Sequence, residues 1–155
     1  MYGMKDKGDE YVRGPMLWGD NTETSYTDKI DKNVASSIAS VNKQQNDEKS
    51  LLNVYIQFAR VRNTYPALAQ GTMSKHSVYN ESNTTTGKSI AAWYMTKDSQ
   101  KMLVIHNFGS TTVELTLTDA ISKVVALQGD AQQMVKESTT NLRLSSCSSI
   151  VYLMK

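Results

Sequence analysis

The sequence is poor in the side chains that most often build small reactive sites. Cys147 is its one cysteine, and His76 and His106 are its two histidines. A single thiol excludes an intrachain disulfide, so cysteine usage leaves the redox compartment open. Cys147 stands in RLSSCSSIVYLM beside a strand-like run and reads as a small buried hydrophobe rather than a reactive thiol. The histidines lie thirty residues apart. With no His, Cys or carboxylate cluster at ligand spacing, no metal site and no cofactor is expected. No apolar run reaches the ~18 residues of a membrane span, and MYGMKDKGDE lacks the apolar centre of a signal peptide. Charge of one sign is lacking too. Seventeen Lys and Arg against fifteen Asp and Glu leave a net charge of +2, with no basic run among aromatics. That argues against nucleic acid and anionic membranes as partners.

What is present suffices for one core. The chain has 155 residues, 39% of them apolar and 21% charged, which is within the globular range. Three regions differ in character. Residues 1–46 are polar, with one apolar cluster, Pro15-Met16-Leu17-Trp18. A stretch this long without periodicity is expected to be disordered, or to pack on something else. GDEYVRGPMLW within it concentrates two acids, Arg13, a Gly-Pro pair and Trp18, as an active-site loop often does.

Residues 47–65, DEKSLLNVYIQFARVRNTY, predict a helix. Leu51, Leu52, Tyr55, Ile56, Phe58, Ala59 and Arg62 recur at three- and four-residue spacing. Asp47 is the expected N-cap, Glu48 suits the first turn, Arg60 and Arg62 suit the last, and Pro66 stops the helix. Val54 and Val61 widen the apolar face, so the helix should meet two neighbours. From Gly71 onward the period turns to two. TMSKHSVYN, SIAAWYMT, KMLVIHNF, TVELTL, SKVVALQ, TNLRLS and SSIVYLM predict strands. Turns are expected at Asn80–Gly87, Asp98-Ser99, Gly109-Ser110, Gly129-Asp130 and Ser145-Ser146. Such spacing predicts an antiparallel Greek-key β-sandwich, with MLVIHNF central and SNTTTG a flexible tip. The fold class is therefore mainly β, with one long helix before the sandwich and an irregular N-terminal segment.

GDEYVRGPMLW, then SLLNVYIQFARVRNTYPAL, then LVIHNF together resemble the C-terminal end of an α-amylase-family glycosidase (glycoside hydrolase family 13). The likeness is to starch-processing and oligoglucosidase-like enzymes, and it covers nearly the whole chain in order. It implies a division into a severed barrel loop (1–46, with MYG ending the last barrel strand), a last barrel helix and linker (47–70), and a C-terminal β-sandwich domain (71–155). Loops at that end of a barrel form its active site. The resemblance also implies that the catalytic carboxyl groups lie upstream, so no catalytic residue is expected here. Asp9 and Glu10 are adjacent and point opposite ways in extended chain, which does not suit a pair about 5–5.5 Å apart across a glycosidic bond.

The expected function is that of an inert C-terminal fragment of a retaining α-glucan hydrolase acting on starch or malto-oligosaccharides. Arg13 and Trp18 are its candidate substrate contacts, since guanidinium forks bind hydroxyls and indole faces stack on pyranose rings. Against this, Arg13 in a salt bridge and Trp18 packed on helices would be purely structural. The alternative is a carbohydrate-binding sandwich using Tyr79, Trp93, Tyr94 or Tyr152. Trp93 and Tyr94 are neighbours and must face opposite sides, so one is core and the other a lone platform, for which Trp93 is the candidate. A purely stabilising sandwich, or an independent adhesion domain, would make every aromatic structural, and the two histidines polar strand positions. The resemblance leaves calcium in the parent open and favours a secreted, periplasmic or cell-surface parent over a cytoplasmic one. Exposed apolar surface on helix 47–65 is expected to drive self-association.

Overall fold

A computed structural model gives the structure of the protein and describes residues 14–19, 36–79, 89–136 and 138–155. The chain divides into two compact units, Met1–Ile56 and Gln57–Lys155. In the first, α1 (Val41–Gln45) is a single turn and a half. It is held by polar capping. The Ser40 hydroxyl accepts from Lys43 N, and Asn53 Nδ2 donates to the carbonyls of Gln44, Gln45 and Asp47. Orphan helix-end groups find partners this way. The region was expected to be irregular, and this short helix was not anticipated.

The long helix α2 spans Leu51–Thr64. It starts at Leu51, the first residue of the periodic run, and not directly after Asp47 as the expected cap implied. Asp47 caps a turn instead, accepting from Lys49 N at 2.9 Å, while Ser50 Oγ accepts from Asn53 N at 3.2 Å. Ser50 is therefore the true N-cap. Pro66 does stop α2, and it also opens a second short helix, α3 (Pro66–Gln70), where its fixed φ suits the first position.

Among the described residues, the second unit holds eight antiparallel strands: β1 (Thr72–Lys75), β2 (Ile90–Lys97), β3 (Gln100–Asn107), β4 (Val113–Leu117), β5 (Ile121–Gln128), β6 (Ala131–Lys136), β7 (Thr139–Leu144) and β8 (Ser148–Met154). A five-stranded sheet runs β1-β2-β3-β8-β5 and a three-stranded sheet runs β4-β7-β6. Turns fall where expected at Asp98-Ser99, Gly109-Ser110 and Gly129-Asp130. Gly129 has φ +83°, and a Cβ there would collide with the Ser148 side chain. The predicted turn Asn80–Gly87 and tip SNTTTG lie outside the described residues. β6 was not foreseen. Its sequence AQQMVK has no alternation, because all but Ala131 are exposed, and it is held by its backbone ladder to β7.

The five-stranded sheet is covered on both faces. Between the sheets, Ala92, Tyr94, Leu103, Ile105, Ile150 and Tyr152 meet Leu115, Leu117, Leu142 and Leu144. On the other face, Met102, Val104, Ala126 and Val151 meet Ala67, with Phe58, Val61, Tyr65 and Leu68 of α2, its end and α3. β3 is the middle strand, and its run Met102 to Ile105 is buried on both sides, as the unbroken apolar sequence required. Truncating Leu103 to Ala would cost about 2–5 kcal/mol.

Cys147 corrects an expectation. It is exposed rather than buried, in the turn before β8, with a left-handed φ of 49°. The alternation of β8 starts one residue later, at Ser148, which takes the inward place.

Candidate functional site

Around Trp18, side chains alternate. Leu17 is buried, whereas Met16 and Trp18 are each 61% exposed. The Leu17 and Trp18 carbonyls accept from Val41 N and Asn42 N at 2.7 and 3.0 Å. Those amides open α1 and have no partner within it, so the loop is clipped to the start of a helix. A cavity of about 310 Å³ lies against it, lined by Pro15, Leu17, Ile38, Val41 and Gln44. Trp18 thus presents an indole from an anchored backbone. Arg13, and with it Asp9 and Glu10, lies outside the described residues.

The sandwich aromatics separate by face. Tyr79, Tyr94 and Tyr152 are buried, at 7%, 8% and 0% exposure. None can stack on a sugar, which corrects their place among the candidate platforms. Burial also pushes the Tyr152 phenol well above its usual pKa. Trp93 faces the other side, as alternation required, but it packs half-buried on the helical cluster. Its ring lies 5.1 Å from His106, and His106 lies 5.5 Å from Phe108. Phe108 is 68% exposed and is the open end of this row. It stands in LVIHNF, yet nothing local in that motif distinguishes an exposed ring from a core one. His106 Nδ1 meets Ser149 Oγ at 2.5 Å, and burial lowers its pKa below the usual 6.5.

His76 is not the surface position it resembled. It is 2% exposed. Its Nδ1 accepts from Val78 N and Tyr79 N at 3.1 and 3.0 Å. The proton therefore sits on Nε2, which donates to Asp119 Oδ2 at 3.0 Å. The Tyr94 hydroxyl donates to Asp119 Oδ1 at 2.6 Å. Burial first, and then the Asp119 carboxylate, push that phenol up to about 12. The Tyr79 hydroxyl donates to Thr116 O and accepts from Thr116 N. This cluster ties the chain after β1 to β2, β4 and the β4–β5 turn. It is a structural lock, because its acceptors and donors are already engaged with one another. His76 and Asp119 are 43 residues apart, so no local pattern could have paired them. Among the described residues, no three His, Cys, Asp or Glu side chains gather to hold a metal.

Residues 90–151 match the family model of the alpha-amylase SusG C-terminal domain. That stretch is what this chain shares with the SusG-type domain. Alpha-amylase SusG of Bacteroides thetaiotaomicron is 55% identical over 152 residues, which is 98% of this chain and 22% of that protein. The chain therefore spans 22% of the length of that relative. Among solved structures, isomaltulose synthase PalI from Klebsiella sp. LX3 aligns with TM-score 0.70 and 27% identity over 94% of this chain and 25% of its own. An alpha-amylase from H. orenii aligns with TM-score 0.74 over 96% of this chain and 29% of its own, at 19% identity, a likeness of fold alone. The resemblance to α-amylase-family glycosidases is borne out. Within the SusG-type domain, the family match covers β2 to β8 up to Val151. It includes Tyr94 and Asp119 of the lock and the row of Trp93, His106 and Phe108. Trp18 lies before it.

Proposed function

We propose that this chain is the C-terminal part of an enzyme that hydrolyses α-glucosidic bonds of starch or malto-oligosaccharides with retention, and that this part is non-catalytic. The observation that carries this is 55% identity along 98% of the chain to an α-amylase, confined to 22% of that enzyme. On this reading the catalytic carboxyl groups lie upstream of this chain, as the family resemblance implies. On this reading residues 1–46 derive from a barrel loop, residues 47–70 from the last barrel helix and its linker, and residues 71–155 form the sandwich domain. The sandwich covers apolar surface and fixes the end of α2. Arg13 and Trp18 contribute to the rim of the substrate cleft, and the exposed Trp18 indole suits stacking on a glucosyl ring. Leu51 and Tyr55, 67% and 70% exposed on α2, give that helix a surface for self-association.

A second reading, glucan binding by the sandwich, draws support from the exposed Phe108 at the end of the row that includes Trp93. Two measurements test both. Incubation with soluble starch should release no reducing ends; release would overturn the non-catalytic assignment. Affinity electrophoresis through starch gels should show retardation that Trp18→Ala removes. Retardation removed by Trp93→Ala instead would place binding on the sandwich, and none at all would leave both aromatics structural.

A further inference from the structure

Two sheets have four edges, and an open edge offers unpaired N–H and C=O groups to another strand. Three of these edges carry a protective device. β1 has only four residues. β5 has two register irregularities, between Ile121 and Lys123 and between Val124 and Ala126, which twist an edge away from partners. At β4, the Tyr79 hydroxyl occupies both the N–H and the C=O of Thr116. β6 has none of these. It is six residues long, in continuous register with β7, and lacks proline. No described strand pairs its outer side, and Met134 and Val135 are 58% and 67% exposed there.

The ladder fixes which groups the edge offers. Ser145 N donates to Asp130 O at 3.0 Å, so the Asp130 carbonyl points toward β7, while its N–H donates to Ser148 Oγ. In an antiparallel pair the direction alternates by residue, so Gln132, Met134 and Lys136 also point inward. Ala131, Gln133 and Val135 point outward. Thr116 agrees from the opposite edge, since it faces Asn141, the partner of Met134, and its free groups go to Tyr79.

We propose that β6 is a homodimerisation edge, pairing antiparallel with β6 of a second copy about a two-fold axis at Gln133. The sequence DAQQMVK is self-complementary in that register. Asp130 meets Lys136 of the other copy at both ends, Ala131 meets Val135, Gln132 meets Met134, and Gln133 meets itself. The residues opposite each other as hydrogen-bonded pairs, 131 with 135 and 133 with 133, are those whose backbone groups are free. Opposite charges across strands favour this arrangement, and like charges oppose it. The result is one six-stranded sheet, β4-β7-β6 continued by its symmetry copy, with no new free edge at the joint.

The test uses the 155-residue chain in sedimentation velocity over a concentration series. The wild type should sediment as a dimer at the upper end. Lys136→Asp places like acids opposite each other, Asp130→Lys places like bases, and each alone should be monomeric. Mixed in equal amounts, the two variants restore both ion pairs and should form a heterodimer. Asp130 also accepts a Ser145 hydroxyl at 3.4 Å, so circular dichroism of both variants should match the wild type. Gln133→Cys in a Cys147→Ser background should oxidise to a covalent dimer, since directly opposed Cα atoms are within disulfide reach. A monomeric wild type would overturn the proposal. So would a dimer indifferent to the charge reversals, which would assign the contact to Leu51 and Tyr55 of α2.

Discussion

Asn107 shows how a single side chain can hold a corner. It is 1% exposed and ends β3. Its Nδ2 donates to Thr111 O, Leu144 O and Ser145 O, and its Oδ1 accepts from Gly109 N. The asparagine of LVIHNF therefore fastens the crossing to β4 and the end of β7 at once. Removing it leaves several buried backbone groups unpaired, each costing about 1–3 kcal/mol. Asn107→Ala should lower unfolding free energy by about 2–4 kcal/mol; a loss under ~1 kcal/mol in urea titration would mean that water replaces these bonds. His76 is the residue whose role was least visible. Its sequence neighbours are polar, and only the approach of Asp119 and Tyr94 explains why it is buried.

Among the elements, α2 was legible because its apolar spacing is regular, and β3 because its run is unbroken. Boundaries were less so. Asp47 and Ser50 are both good caps in isolation. Ser50 wins because its hydroxyl donates to Gln44 O at 2.6 Å while accepting from Asn53 N. Ser50→Ala should destabilise the first unit by about 1 kcal/mol, while Asp47→Ala should cost less. Hydrogen exchange at Asn53 and Val54 would separate the two, and equal effects would return the cap to Asp47. β6 was invisible because a strand exposed on both faces has no period to read. Its existence depends on the ladder with β7.

At the scale of the whole molecule, the titrating groups predict a stability maximum between mildly acid and alkaline pH. His106 titrates below its usual 6.5 in the folded chain because it is buried. The unfolded chain then binds the proton first, so stability falls as pH drops through about 6.5 and levels off below the folded pKa. Tyr94 is pushed the other way, to about 12. The unfolded phenol ionises near 10, so stability should fall from about pH 10 to pH 12, with Tyr152 adding to the loss in the same direction. Thermal unfolding scans should show both slopes. His106→Gln should flatten the acid slope, and Tyr94→Phe should lessen the alkaline one; slopes unchanged in these variants would assign them to other groups.

By itself the sequence determined the fold class, the place of α2, the central strand and the opposite facing of Trp93 and Tyr94. Each follows from local periodicity, which a linear chain displays. It also carried the family resemblance, since motif order is linear too. Only the tertiary structure decided which aromatics are buried, that Cys147 is exposed in a turn, and that His76 meets Asp119. It also decided that, among the described strands, the outer edge of β6 is left without a partner. Those depend on groups far apart in the chain being brought within a few ångströms, and no spacing along the sequence encodes that distance.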